Sequence, residues 1–366
     1  MADGWSLRRT IWWDGQQVAV VDQRQLPHRV AIERWRTVDQ AADGIRQMQV
    51  RGAPLIGVAA AHGVALAMAE RPTDQGLDAA LAKLLATRPT AISLRHALER
   101  MDGELRALTP EVRAAAARVL AEAMAEDDAE ACRAMGGVGA RLIQDVADRV
   151  DRPVQILTHC NAGWLASVEW GTATGPVYVA KERGVPVHVW VSETRPRNQG
   201  SALTAWELGQ RNVAHTVVVD NAAGHLLRSG LVDLVIVGAD RVAANGDVAN
   251  KIGTYLKALA ARDNDVPFYV AAPTSAFDLR APSGAVIPIE ERDPEEITGM
   301  SGWTANGHRA SVMLTPPGTE ARNWGFDVTP ARLVSGFITE RGVIPAAAYA
   351  IAQTIASDKG PISLAR

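Results

Sequence analysis

Two rhythms of apolar and polar residues divide this chain. From about residue 150 onward, short β-branched runs recur: VQILTH (154–159), VPVHVWVS (185–192), HTVVVD (215–220), VDLVIVGA (232–239) and VPFYVAA (266–272). Between them lie stretches with helical spacing, among them GTATGPVYVAKERG, ALTAWELGQR, AAGHLLRSG and KIGTYLKALAARD. Strands alternating with helices of this length predict a parallel sheet covered on both faces, a Rossmann-like α/β architecture. The first third reads differently. IWWDGQQVAVVDQRQLP (11–27) alternates around an Asp14-Gly15 turn, which predicts a small hairpin. Thr37 with Gln40 resembles a capping box that opens a helix through about Met48. A second helix is expected from Ala53-Pro54, and a long Ala-rich one from Thr109-Pro110 to roughly Ala134, ended by Gly136-Gly137. The expected organisation is a mainly helical N-terminal domain, residues 1–145, followed by a Rossmann-like catalytic domain, 146–366, with the boundary near 136–152.

Composition narrows the class. A length of 366 residues suits two domains, and 47% apolar with 22% charged residues is ordinary for a globular chain. The net charge of −3, with scattered arginines, gives no footing for nucleic acid. The N-terminus lacks the apolar core of a signal peptide. The most apolar stretch, 53–69, is short and rich in Ala and Gly, so a buried helix is expected and no membrane span. With only Cys132 and Cys160 there is no disulfide framework, and a cytoplasmic protein with reduced thiols is expected.

In an open parallel sheet the ligand lies beyond the carboxyl ends of the strands, where strand order reverses. The residues at those exits here are Cys160-Asn161, Glu193-Thr194-Arg195, Asp220-Asn221, Asp240-Arg241 and Pro273. Two readings stand for Cys160: a buried thiol acting as a small hydrophobe, or a reactive group at a strand end. His159 precedes it and should face the other side of the strand, so the two make no dyad. Asp240 is either a turn residue or a partly desolvated acid held protonated for donation. The RVAANGD that follows it reads as a loop. Asp220, directly before NAAGHLL, reads as an N-cap. RGAP (51–54) opens a helix whose N–H groups and dipole suit an anion, with Arg51 adding a forked charge. Arg88 and Arg195 are either surface residues or further anion ligands. No zinc-type spacing and no phosphate-loop signature occurs, and GGVG (136–139) follows a helix rather than a strand, so no metal and no nucleotide cofactor is expected.

Taken in order, RGAP, RPTA, THCNAG, GTATG, SETRPRNQGSALTAWEL, GADRVAANGDVANKIGTY, FYVAAPTSAFD, IPIEERDPEE and FDVTPARLVSGFITERG resemble the methylthioribose-1-phosphate isomerase family. The same superfamily holds ribose-1,5-bisphosphate isomerases and the regulatory subunits of the exchange factor for eukaryotic initiation factor two. The resemblance covers about residues 10–345. It implies conversion of 5-methylthioribose 1-phosphate to 5-methylthioribulose 1-phosphate in methionine salvage, without a cofactor and by a homodimer. It makes Cys160 and Asp240 the catalytic pair. It places substrate contacts on Arg51, Gly52, Ala53, Arg88, Gln199, Asn250 and Lys251. Departures from the family pattern fall at Ser93, Arg95, His96, Trp190, Ser192, Trp324 and Gly325, and raise the expectation of a pocket reshaped around the sugar's 5-substituent. Related substrates are 5-deoxyribose 1-phosphate and ribose 1,5-bisphosphate, and the non-enzymatic alternative is a regulatory subunit.

Overall fold

The computed structural model describes residues 9–356. The chain opens with an antiparallel sheet of β1 (Ile11–Asp14), β2 (Gln17–Val21) and β3 (Ile32–Trp35). The helices α1 (Val38–Arg46), α2 (Ala53–Glu70), α3 (Asp74–Leu85), α4 (Ile92–Arg106) and α5 (Pro110–Ala147) follow. Thr37 caps α1 by accepting from the Gln40 N–H. α2 is apolar on every side and sits at the centre of this body, with Leu55–Met68 all buried among its neighbours. It has the length and composition of a membrane span, yet its apolar surface is spent inside the protein.

α5 corrects the expected stop at Gly136-Gly137, for it runs unbroken to Ala147. Gly136, and Gly139 one turn on, are there for contact. A Cβ on Gly139 would lie 2.5 Å from Pro176, and one on Gly136 would lie 3.0 Å from Val179. Small residues let α5 press against the helix at 175–182, and no αL residue follows them to end the helix. The first half of α5 belongs to the helical core through Ala117, Leu120 and Ala121; its second half packs Cys132, Met135 and Ile143 into the core beneath the large sheet.

The remaining elements are β4 (Val154–His159), α6 (Gly175–Glu182), β5 (Val187–Ser192), α7 (Ala205–Gln210), β6 (Ala214–Val218), α8 (Ala222–Arg228), β7 (Leu234–Val237), β8 (Arg241–Ala243), β9 (Val248–Lys251), α9 (Thr254–Asp263), β10 (Phe268–Ala271), β11 (Phe277–Asp278), α10 (Glu295–Thr298), β12 (Gly299–Trp303), β13 (Arg309–Met313), β14 (Phe326–Thr329), β15 (Gly336–Thr339), β16 (Gly342–Ile344) and α11 (Ala348–Ala356). The large sheet has the order β16-β15-β10-β7-β4-β5-β6, parallel except for the edge strand β16. Winding runs outward from β4 through β5 to β6, then restarts at β7 and runs the other way. The switch point is therefore between β4 and β7, and a crevice opens beyond their carboxyl ends. A second, smaller sheet, β11-β8-β9-β14, stands over that crevice.

The segment after Asp240 also differs from expectation. Arg241–Ala243 and Val248–Lys251 pair as a hairpin, with the loop confined to the residues between them. Asn245-Gly246 is the turn, with Gly246 at φ +90°, and it is a hairpin signal of the ordinary kind.

Candidate active site

Cys160 leaves β4 at φ +65°, a left-handed backbone that a residue with a Cβ seldom adopts. Its neighbours hold it there. The Cys160 N–H donates to Thr194 Oγ1 (2.8 Å), and Thr204 Oγ1 donates to the Cys160 carbonyl (2.6 Å). His159 faces away: it is buried and its Nε2 donates to the Ile252 carbonyl at 2.7 Å. Burial, then the nearby Lys257 charge, lowers its pKa to about 3, so the ring is neutral.

Asp240 leaves β7 on the other side of the switch point and is anchored by its N–H donating to the Ala249 carbonyl (3.0 Å). Its carboxyl faces the crevice but is otherwise enclosed by protein. That burial raises its pKa from the ordinary carboxylate value, although Lys251, Arg88 and Arg51 pull the other way. Desolvation wins over three cations. Lys251, on β9, is lowered by burial and held up by Cys160 and Asp240; its Nζ lies 4.7 Å from the centre of the Phe326 ring.

One cleft of about 820 Å3, open to solvent, contains Arg51, Gly52, Ala53, Arg88, Cys160, Gln199, Asp240 and Lys251 in its wall. A smaller cavity of about 390 Å3 adjoins it, shares Arg51, Gly52, Ala53, Cys160 and Asp240, and adds Asn250. The split between Asn250 and Lys251 follows from strand pleat. Ala249 and Lys251 project to one side of β9 and Asn250 to the other, where its amide donates to Thr254 Oγ1 (3.0 Å). The smaller cavity is floored by the start of α2, where Gly52 is the N-cap and no side chain caps the helix. Arg51 is aimed by Asn161: Nη1 donates to Asn161 Oδ1 (2.7 Å), and both Nη1 (3.0 Å) and Nη2 (2.9 Å) donate to its carbonyl. Arg88 pairs with Glu290 at 3.2 Å, and Glu290 also holds Arg292 at 3.0 Å. Two buried atoms at this cleft, Arg88 Nε and Gln199 Oε1, have no hydrogen-bond partner within the protein. Buried polar atoms are ordinarily paired, so both are free to meet a polar ligand.

Sequence reasoning missed the far wall. Met48, Ile56, Ile287, Ile289 and Phe326 supply an apolar lobe, and Arg292 joins the charged rim. IPIEERD was visible as a motif, but only the fold brings 287–292 across from the switch point. Several expectations are corrected. Arg195 is not in the cleft: its guanidinium donates to the carbonyls of Pro196 and Ile297. Asp220 does not cap α8; it accepts from the Thr194 (2.8 Å) and Arg195 (2.7 Å) N–H groups and from Ser192 Oγ, because adjacent parallel strands put that loop nearer than its own helix. Asn245 and Asp247 serve the hairpin turn, not the cleft. None of Ser93, Arg95, His96, Trp190, Ser192, Trp324 or Gly325 lines the cleft, so the departures from the family pattern leave its wall untouched. Among the described residues no three His, Cys, Asp or Glu side chains are grouped to hold a metal ion.

An α/β fold with a thiol and a desolvated acid on either side of its switch point, above a helix start that no side chain caps, defines a Rossmann-like protein whose crevice suits a small anionic ligand. The sequence matches the Initiation factor 2 subunit family over residues 49–346. A methylthioribose-1-phosphate isomerase of Brucella anthropi is 56% identical over 339 residues, 91% of this chain and 93% of that one. Among solved structures, the 5-methylthioribose 1-phosphate isomerase of Pyrococcus horikoshii OT3 superposes with TM-score 0.82 at 38% identity, covering 96% of both chains. A structure named translation initiation factor eIF-2B, subunit delta, from A. fulgidus gives 0.78 at 38%, covering 95% of this chain and 99% of that one. The chain belongs to the Initiation factor 2 subunit family, in its methylthioribose-1-phosphate isomerase branch.

Proposed function

We propose that this chain isomerises 5-methylthioribose 1-phosphate to 5-methylthioribulose 1-phosphate in methionine salvage, with Cys160 and Asp240 as its catalytic residues. The observation that carries the reading is their placement: they leave β4 and β7 on opposite sides of the switch point and line the same cleft. In the proposed binding mode the phosphate occupies the smaller cavity over the start of α2. There Arg51, the backbone of Gly52 and Ala53, and Asn250 surround it. Arg88, Gln199 and Lys251 contact the sugar and its phosphate from the main cleft. The apolar lobe of Met48, Ile56, Ile287, Ile289 and Phe326 takes the methylthio group.

The chemistry follows from the substrate. Phosphate on C1 removes the free aldehyde, so the furanose must open by breaking the bond between C1 and the ring oxygen. Asp240, whose pKa burial raises, donates its proton to that oxygen as the bond breaks. The electron-poor C1 then receives the C2 hydrogen with its bonding electron pair, as hydride, while the C2 hydroxyl loses its proton to the Asp240 carboxylate and becomes the ketone. Atoms and charges balance, and Asp240 returns to its starting state. Cys160 faces the carbon pair and stabilises the charge that develops between them. The apolar lobe keeps water from the opened intermediate.

Two free cysteines, Cys132 and Cys160, both buried, suit a reducing compartment, and we place the enzyme in the cytoplasm as a homodimer. Purified protein given 5-methylthioribose 1-phosphate, 5-deoxyribose 1-phosphate and ribose 1,5-bisphosphate in parallel should form ketose fastest from the first. Turnover of another sugar but not of the methylthio compound reassigns the substrate. Turnover of none would make the chain a binding subunit.

A further inference from the structure

The steps above use no residue of α7, yet that helix carries a fully buried carboxylate against the catalytic loop. Glu207 accepts five hydrogen bonds. Oε1 takes the Trp164 N–H (3.2 Å), Thr174 Oγ1 (3.1 Å) and Tyr178 OH (2.9 Å); Oε2 takes Asn161 Nδ2 (3.1 Å) and the Leu165 N–H (3.1 Å). The segment 161–165, immediately after Cys160, supplies three of these five. The fit excludes a side chain at Gly163, whose Cβ would lie 1.5 Å from Glu207 Oε1. One turn earlier on the same face, Thr204 donates to the Cys160 carbonyl, and the π-helical turn Gly200–Thr204 brings it there.

The consequence lies in the sense of the Asn161 amide. Its NH2 donates to Glu207 and to Thr204 Oγ1 (3.1 Å), which leaves Oδ1 facing Arg51. Oε2 also takes the Leu165 N–H, which can only donate, so that oxygen is an acceptor and fixes which end of the Asn161 amide points at the guanidinium. An amide in its place can present NH2, and Asn161 would then turn its own NH2 toward Arg51. We propose that Glu207 is a positioning residue that aims Arg51 into the cleft through Asn161 and so sets how tightly the site holds its anionic substrate. This deepens the isomerase reading, which supplies the substrate used in the kinetic arm of the test.

Glu207→Gln should raise KM for 5-methylthioribose 1-phosphate on the order of tenfold while lowering kcat less, at temperatures where circular dichroism shows native structure. In a cycle with Arg51→Ala, the Glu207→Gln loss should largely vanish, because the residue it acts through is gone. A second arm needs no substrate: the ratio of Cys160 alkylation by iodoacetate, an anion, to that by neutral iodoacetamide should fall in Glu207→Gln and in Arg51→Ala alike. Where Glu207→Gln does not fold, Asn161→Ala removes the relay, leaves Glu207 its other donors, and should lower the same ratio. Additive losses in the cycle, or a lowered melting temperature with unchanged KM and unchanged alkylation ratio, would overturn the proposal. A lowered ratio in a protein that turns over no sugar phosphate would keep the positioning role and sink the isomerase reading instead.

Discussion

Replacing Gly52 by alanine tests whether the start of α2 forms a rigid wall of the site. Gly52 lies at φ 102° and ψ 137°, a region reserved for glycine. Holding any other residue there costs about 1–3 kcal/mol. An added Cβ would also lie 2.5 Å from Ala166 Cβ and 2.6 Å from its Cα and carbonyl oxygen, roughly 1 Å inside ordinary contact. Ala166 cannot retreat easily. It ends the short turn Trp164–Ala166, whose N–H groups at Trp164 and Leu165 are tied to Glu207. Relief of that overlap adds about 1–3 kcal/mol, so Gly52→Ala should lose roughly 2–6 kcal/mol in urea unfolding. The chain relaxes by moving Arg51–Ala53, and a shift approaching 1 Å there should lower kcat/KM on the order of 100-fold. Gly15→Ala is the control: φ is +64° but nothing lies within 4 Å of its Cβ. It should lose about 1–2 kcal/mol for the backbone alone and keep wild-type kinetics. If Gly52→Ala unfolds within about 1 kcal/mol of wild type and keeps its kcat/KM, the wall is not rigid and the placement of the phosphate over it fails.

Cys160→Ser and Asp240→Asn should each cut kcat by orders of magnitude with native circular dichroism. Asp240→Asn should also melt higher near neutral pH, because burial raises the carboxyl above its unfolded value and stability is lost as pH rises through the folded pKa; a lower melting temperature there contradicts the assignment. The alkaline limb of kcat should lie at higher pH than that of kcat/KM, and a reversed order in full pH–rate profiles would remove Asp240 as the acid. Buried His62 has its pKa lowered from 6.5 to about 4, so the stability it contributes is complete above the unfolded value and lost as pH falls. Between about pH 7.5 and 5, wild type should lose about 2 kcal/mol more unfolding free energy than His62→Leu, and parallel pH dependences would show that the ring is not buried neutral.

The strand–helix rhythm made the parallel sheet legible because strands buried on both faces are written as unbroken apolar runs, and the polar residues at their ends pointed to Cys160 and Asp240. Local pattern fell short where a residue's reason lies in a distant partner. Gly136-Gly137 looks like a helix stop, yet Gly136 answers to Val179, and Gly139 beyond it to Pro176, across a helix contact. Asp220 looks like a cap, yet it serves the exit of a neighbouring strand. Ile287–Ile289 and Phe326 belong to loops and a short strand with no period of their own, so their place in the cleft emerges only from the tertiary fold. Glu207 was hidden for the same reason. Within ALTAWELGQR it reads as an exposed helical glutamate, while all five of its donors lie between 161 and 178.

The order of the two pH limbs follows from how Asp240 is balanced. In the free protein, burial pushes its proton affinity up while Lys251, Arg88 and Arg51 push it down, and burial prevails. A bound sugar phosphate changes only one side of that contest. In the proposed binding mode its negative charge pairs with Arg51 and approaches Lys251, so the cations that favour the carboxylate would then serve the phosphate. The sugar also displaces water from the cleft and deepens the desolvation of the acid. Both changes favour the protonated form. Under the proposed mechanism, binding an anion thus favours the proton on Asp240 that ring opening would consume, and the cations that would hold the substrate do not silence the acid that would open it.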